Sequence, residues 1–300
     1  MVTKSLKAVD GLELVYDCFD VDNPKVVLQV IHGSVEHGQR YHHFAKHMQD
    51  NGVAVYVMDQ RGHGRSLIGE QGVLSNTDDS WGLFVKEQYE LTKLIKSDYP
   101  DSKIVVMGHS MGSFILRDYL SFYSRDIDGA IISGTGSADP ITVLGGKVLL
   151  KMEEKKIGRH TASQKLTDLV FGPLNKKAKK MGIDSFISRD QAQIDKYNND
   201  PASGFLLTVD YAEAMMTGLG RIIKKEAYDI DEIPLMIYSG EKDPVGGTDA
   251  KYVKQVAKKY LKNGNDVELY IYKDALHEMI NEINNDEVYS DVLSWIGESV

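Results

Sequence analysis

The segment Gly108-His109-Ser110-Met111-Gly112 lies between an apolar run, Ile104-Val105-Val106-Met107, and the stretch Ser113 to Leu120 (SFILRDYL). The first run is short and rich in β-branched residues, as a strand buried on both faces is. The second stretch continues as a helix from Met111 to Ser124. A G-x-S-x-G segment in that setting must turn from strand to helix over a single residue. Glycines are needed on either side of the serine because a β-carbon there would collide with the flanking strand and helix. The turn presents the Ser110 hydroxyl beyond the carboxyl end of the strand.

The chain around this elbow alternates in the same way. Strand patterns occur at Leu12 to Phe19, Val26 to Ile31, Val53 to Met58, Ile104 to Met107 and Ala130 to Ile132. Helical spacing separates them at Tyr41 to Asn51, Ser80 to Ser97 and Met111 to Ser124. This alternation predicts a mostly parallel, doubly wound α/β sheet. From Ser137 to about Asp229 no strand pattern is found, and helical spacing links Ile141, Leu144, Val148, Leu149 and Met152. The sheet pattern resumes at Leu235 to Ser239 and Val267 to Tyr272, with helices near Thr248 to Asn263 and Asn285 to Ile296. The expected organisation is a core of residues 1–136 and 230–300, interrupted by a helical cap at 137–229.

A serine hydroxyl is a weak nucleophile and needs a base held by a third group. Enzymes that mount serine on such an elbow carry the acid and then the histidine after it, each on a loop following a strand. Asp243 follows the strand pattern LMIYS and His277 follows VELYIY, which gives Ser110, Asp243 and His277 as the candidate catalytic set. Glu241 in the same loop and Asp139 after the strand AII stay open as alternative acids. After Ser110 the chain has one other histidine, His160, inside the helical insertion. An oxyanion needs two backbone N–H donors. Met111, directly after the serine, is one candidate. Ser34, in the loop His32-Gly33-Ser34-Val35-Glu36-His37-Gly38 after VVLQVI, is the other.

Composition excludes several other chemistries. The formal charge of −9, with no basic block, argues against nucleic acid as a partner. Cys18 is the single cysteine, so no intrachain disulfide can form and a cytoplasmic location is expected. The N-terminal stretch lacks the continuous apolar region of a secretory leader, and no apolar run approaches the length of a membrane span. His43 and His47 are spaced i, i+4 but stand outside any H-E-x-x-H, so no metal site is expected. The segment Asp59 to Ser66 (DQRGHGRS) lacks the third glycine of a dinucleotide fingerprint, and no phosphate-binding G-x-x-x-x-G-K-[ST] occurs. No cofactor is expected. DQRGHGRS reads instead as a structural turn packed beside the site loops.

These segments together resemble the monoacylglycerol lipase and lysophospholipase-like α/β hydrolases, a branch grouped with serine aminopeptidase-like hydrolases. The matching pieces are HGSVEH with Arg40-Tyr41, DQRGHGRS, GHSMGS, SGEKDPVG, HEMINE and, within the insertion, SRDQAQIDKYNNDPASGF at 188–205. The resemblance implies an α/β-hydrolase fold and a serine carboxylic ester hydrolase working through an acyl-enzyme on monoacylglycerol- or lysophospholipid-like esters. It also places Ser34 and Met111 at the family's oxyanion positions. The alternatives are a serine aminopeptidase-like peptidase and a non-enzymatic ligand-binding protein on the same fold. The insertion carries a net charge of +3, from 15 basic and 12 acidic residues. Its residues Leu149, Met152, Leu169, Phe171, Leu206, Leu207, Met215 and Met216 either line an acyl pocket or pack the helices. Transient contact with a membrane surface is compatible with such an insertion, and the sequence leaves the oligomeric state open.

Overall fold

The computed structural model describes residues 1–77, 79–183 and 185–300. In chain order it forms β1 (Val2–Lys7), β2 (Glu13–Phe19), β3 (Val26–Ile31), α1 (His42–Asp50), β4 (Ala54–Met58), α2 (Ser80–Asp98), β5 (Lys103–His109), α3 (Met111–Tyr123) and β6 (Gly129–Ser133). Four helices follow: α4 (Pro140–Ile157), α5 (Gln164–Lys180), α6 (Gln191–Asn199) and α7 (Val209–Ile222). The chain then closes with β7 (Leu235–Gly240), α8 (Lys251–Lys262), β8 (Val267–Tyr272) and α9 (Asn285–Ser299).

The strands form one sheet of eight in the order β1-β2-β4-β3-β5-β6-β7-β8. From β4 to β8 across the sheet the pairing is parallel, while β1 and β2 run antiparallel to their neighbours. This is the mostly parallel, doubly wound sheet expected from the alternation. Strand β1 was not anticipated. Its sequence VTKSLK is exposed along nearly its whole length and pairs with β2 from Val2↔Cys18 to Lys7↔Glu13. Leu6 alone is partly buried against the core, which is too little apolar patterning to mark a strand.

Successive side chains of the inner strands point to opposite faces, and each face has its own core. Leu28, Val30, Val55 and Val57 pack against Phe44 and Met48 of α1 and Val292 and Trp295 of α9. Val27, Ile31 and Val106 pack on the other face against α2, α3 and α8. Each such fully buried side chain contributes about 1.5–3 kcal/mol. Helices on both faces leave the carboxyl ends of the parallel strands as the open rim, where ligands of such sheets bind.

Between β6 and β7 the described residues contain no strand. The two strands pair directly, Ala130 against Leu235, so the chain leaves the sheet and returns to the neighbouring position. Helix α7 is tied into the main core through Tyr211, Met215 and Ile222, and a β-carbon on Gly218 would overlap the Trp81 ring. Helix α4 differs. Asp139 caps it, accepting the Thr142 N–H at 2.9 Å, and Pro140 opens its first turn. Yet Ile141, Leu144, Val148 and Met152 are 82%, 66%, 53% and 65% exposed.

Candidate active site

Ser110 ends β5 and opens α3 with φ 52° and ψ −119°, a left-handed conformation rare outside glycine. Its two flanking glycines are required sterically. A β-carbon on Gly108 would overlap the Gly112 carbonyl, and one on Gly112 would overlap the Ile31 and His32 carbonyl oxygens. The Ser110 N–H donates to Ser133 O at 3.0 Å, which ties the turn to β6.

The structure brings Ser110, His277 and Asp243 into one hydrogen-bonded line. His277 Nε2 is 2.8 Å from Ser110 Oγ, and His277 Nδ1 is 2.9 Å from Asp243 Oδ2. A carboxylate can only accept, so Nδ1 carries the proton and Nε2 is free to accept that of the serine. Asp243 is buried and also accepts the Val245 N–H at 2.8 Å and the Ser239 hydroxyl at 3.3 Å. Burial pulls the His277 pKa down. The charge and hydrogen bond of Asp243, with Glu278 and Glu36 nearby, outweigh it and leave the imidazole above its usual 6.5. Neighbouring His109 has no such carboxylate, and burial holds its pKa well below 6.5.

The two rival acids are placed elsewhere. Glu241 accepts the Asp274 N–H at 3.1 Å, bracing the two loops, and Asp139 caps α4. His160 sits within hydrogen-bond distance of Asn76, away from Ser110.

The loop after β3 faces Ser110. A β-carbon on Gly33 would stand 3.3 Å from the Ser110 Cβ, so the backbone comes as close as glycine allows. Val35 has φ 50°. The Ser34 N–H meets no acceptor among the described residues, and Met111, as the first residue of α3, has an N–H with no intrahelical partner. Glu36 holds the loop from within, its Oε1 accepting the Gly33 N–H at 2.5 Å and the Tyr41 hydroxyl at 2.8 Å. Arg40 bonds Glu36 Oε2 at 2.9 Å and also pairs with Glu278, the residue after His277. The sequence assigned this bridge between the loop after β3 and the histidine loop no role, although the i, i+4 spacing of Glu36 and Arg40 was visible. DQRGHGRS packs behind the same loop. Asp59 accepts the Gly38 N–H at 2.8 Å, and the Gln60 N–H donates to His32 Nε2 at 3.0 Å.

A cavity of about 630 Å³ opens on Ser110, His277 and Ser34. Its apolar wall includes Phe171, Leu174, Phe186, Ile194, Phe205 and Val245, and Asn175, Lys179, Gln191 and Asn198 add polar groups. Of the eight insertion residues considered for an acyl pocket, Phe171 alone is among the lining residues. Leu149, Met152 and Leu169 are exposed, while Leu207 and Met215 are buried in the helix packing. Helical spacing marks an apolar face without telling what the face meets. Among the described residues no three His, Cys, Asp or Glu side chains converge as a metal site would need.

The arrangement of base-paired serine, unpaired N–H groups and adjoining cavity suits acyl transfer. Comparison with known proteins agrees. A family profile described as "Serine aminopeptidase, S33" matches residues 22–284. The chain belongs to this family. As a serine hydrolase of the S33 type it is 30% identical to a monoacylglycerol lipase of Mycolicibacterium smegmatis, covering 97% of this chain and 95% of that one. It is 26% identical to human monoglyceride lipase over 92% of this chain and 83% of that protein. Among solved structures, a carboxyl esterase from Bacillus coagulans in complex with glycerol superposes with a TM-score of 0.86 at 23% identity, covering 100% of this chain and 99% of the esterase. A monoglyceride lipase from Saccharomyces cerevisiae gives 0.76 at 20% identity, covering 100% and 96%. These two likenesses show that the fold is shared over the whole chain.

Proposed function

We propose that this serine hydrolase cleaves carboxylic esters of the monoacylglycerol or lysophospholipid type through an acyl-enzyme on Ser110. The observation that carries the reading is the line Asp243–His277–Ser110, ending in a cavity with apolar walls and scattered polar groups. His277 Nε2 takes the serine proton as Oγ attacks the ester carbonyl, and Asp243 holds the imidazole in the needed tautomer. The N–H groups of Ser34 and Met111 receive the developing oxyanion. The imidazolium then protonates the departing alkoxide, and a water molecule repeats the sequence on the acyl-enzyme to release the acid. The relatives named for acylglycerols supply the substrate class. The 137–229 segment acts as the cap over a core of 1–136 and 230–300, since its α5 and α6 supply cavity walls.

An aminopeptidase would need a free carboxylate to hold a substrate amine. The cavity does present Glu36 and Glu278, but Arg40 engages both. That pairing favours the ester reading.

The lipid nature of the substrate suggests where it is met. No helix among the described residues is long and apolar enough to cross a membrane. The exposed apolar stripe of α4 runs beside Lys147, Lys151, Lys155 and Lys156, a pattern suited to resting on an anionic lipid surface. Burial pushes the pKa of the Cys18 thiol up to about 12 and keeps it protonated and unreactive, and with this single cysteine the protein is read as cytoplasmic.

The test is hydrolysis of a panel of monoacylglycerols, lysophospholipids and p-nitrophenyl esters, with peptidyl arylamides in parallel. Ser110→Ala is expected to lower kcat by at least about 10⁴-fold. Wild-type turnover by that variant, or faster cleavage of arylamides than of esters, would overturn the reading. Because His277 must be neutral to act and its pKa is raised, kcat/KM should fall with decreasing pH through a midpoint above 6.5. A midpoint below 6.5 in the pH–rate profile would contradict the assignment of the base.

A further inference from the structure

Tyr211 belongs to α7, yet its hydroxyl ends against the loop after β3. The side chain is fully buried, and Tyr211 is not among the residues lining the cavity. Its oxygen lies 2.8 Å from Ser34 Oγ, 3.3 Å from Val35 N, 3.0 Å from His63 Nε2 and 3.2 Å from Met111 Sδ. It therefore touches both residues whose N–H groups face the serine.

The direction of these bonds follows from His63. Its Nδ1 is 2.9 Å from the Arg61 carbonyl, which can only accept, so Nδ1 carries the ring proton. Burial pushes the His63 pKa down to about 3, so the ring is neutral and Nε2 is bare. Tyr211 gives its one proton to that nitrogen, a stronger acceptor than the Met111 thioether. Its lone pairs then receive the Ser34 hydroxyl and the Val35 N–H. This matters because Val35 is β-branched and held at φ 50°, a conformation that persists only when its surroundings over-determine it. The same part of the chain grips the turn elsewhere: the Gly204 N–H donates to Val35 O at 2.8 Å, and His37 is 2.6 Å from Asp200.

We propose that the Tyr211 hydroxyl is a positioning residue for the reaction, anchoring the strained Ser34–Val35 turn so that the Ser34 N–H is aimed at the site of the oxyanion. The inference rests on reading Ser34 and Met111 as the oxyanion donors. It gives the segment between β6 and β7 a second task beyond enclosing the substrate. A shift of α7 relative to the sheet would be transmitted to the oxyanion hole, changing turnover even where the substrate is held as before.

Tyr211→Phe keeps the ring and removes the hydroxyl. With the full chain and a p-nitrophenyl ester, kcat is expected to fall about 10- to 100-fold while KM stays within about twofold, since a donor displaced by about an ångström loses most of its effect. Affinity for an alkyl boronic acid, which forms a tetrahedral adduct on the serine, should weaken by the same factor as kcat. A merely structural role would leave that ratio of kcat to KM unchanged in the folded fraction. Should Tyr211→Phe not accumulate as folded protein, Ser34→Ala removes one bond to Tyr211 while leaving the N–H, and kcat should fall about threefold or more. Folded Tyr211→Phe with kcat within twofold of wild type, or with the loss carried by KM, would overturn the inference. An inactive wild type would instead overturn the ester hydrolase reading beneath it.

Discussion

Helices α3 and α4 share a helical spacing of apolar residues but have opposite surroundings. Each carries apolar residues at helical spacing, and each begins at a loop beyond a sheet strand. In α3 the residues from Met111 to Leu120 are all buried, including Arg117 and Asp118. In α4, Val143, Leu150 and Glu153 are buried, and the stripe from Ile141 to Met152 faces outward. The difference shows what each helix is held by. The sheet and helices α2 and α7 enclose α3 and leave little tolerance for change. Helix α4 meets the rest of the chain mainly along α7 and leaves its second apolar face exposed, the face proposed above to rest on lipid.

Paired substitutions sharpen or break this contrast. The largest effect is expected for Gly112→Ala in α3, where the new β-carbon overlaps two β3-side carbonyls. Stability should fall by more than about 4 kcal/mol, seen as loss of folded protein or a collapsed denaturation midpoint. Ile115→Ala, also in α3, should cost about 2–5 kcal/mol in urea unfolding. The glycine counterpart in α4 has the opposite sign. A β-carbon on Gly145 meets nothing within 4 Å, so Gly145→Ala should stabilise by about 0.5–1 kcal/mol through helix propensity. Val148→Ser should change stability by less than about 0.5 kcal/mol, yet weaken co-sedimentation with anionic vesicles about fivefold. If Val148→Ser destabilised the chain as Ile115→Ala does, the outward face of α4 would belong to the fold and not to a lipid surface.

What could be read from the residues follows the same division. The elbow was legible because Gly108, Ser110 and Gly112 are demanded by backbone sterics, and because strands buried on both faces write continuous apolar runs. Asp243 and His277 were legible because they follow such runs in a fixed order. Strand β1 was not, since an exposed edge needs no particular residue. The lining of the cavity was not, because the spacing of Leu149, Met152 and Leu169 states only that a face is apolar. Tyr211 was invisible for another reason: its value lies in a hydroxyl meeting residues 34, 35 and 63, and no local pattern encodes a meeting of distant segments.

The conformation of Ser110 has a consequence for how such a protein can be improved. A non-glycine residue at φ 52° and ψ −119° carries strain on the order of 1–3 kcal/mol. Glycine would relieve it, offset in part by the greater freedom of the unfolded chain. Ser110→Gly, which removes the proposed nucleophile, should therefore melt no lower than the parent chain. Any screen that rewards survival on heating alone would drift toward a dead molecule, because at this position endurance and turnover pull in opposite directions.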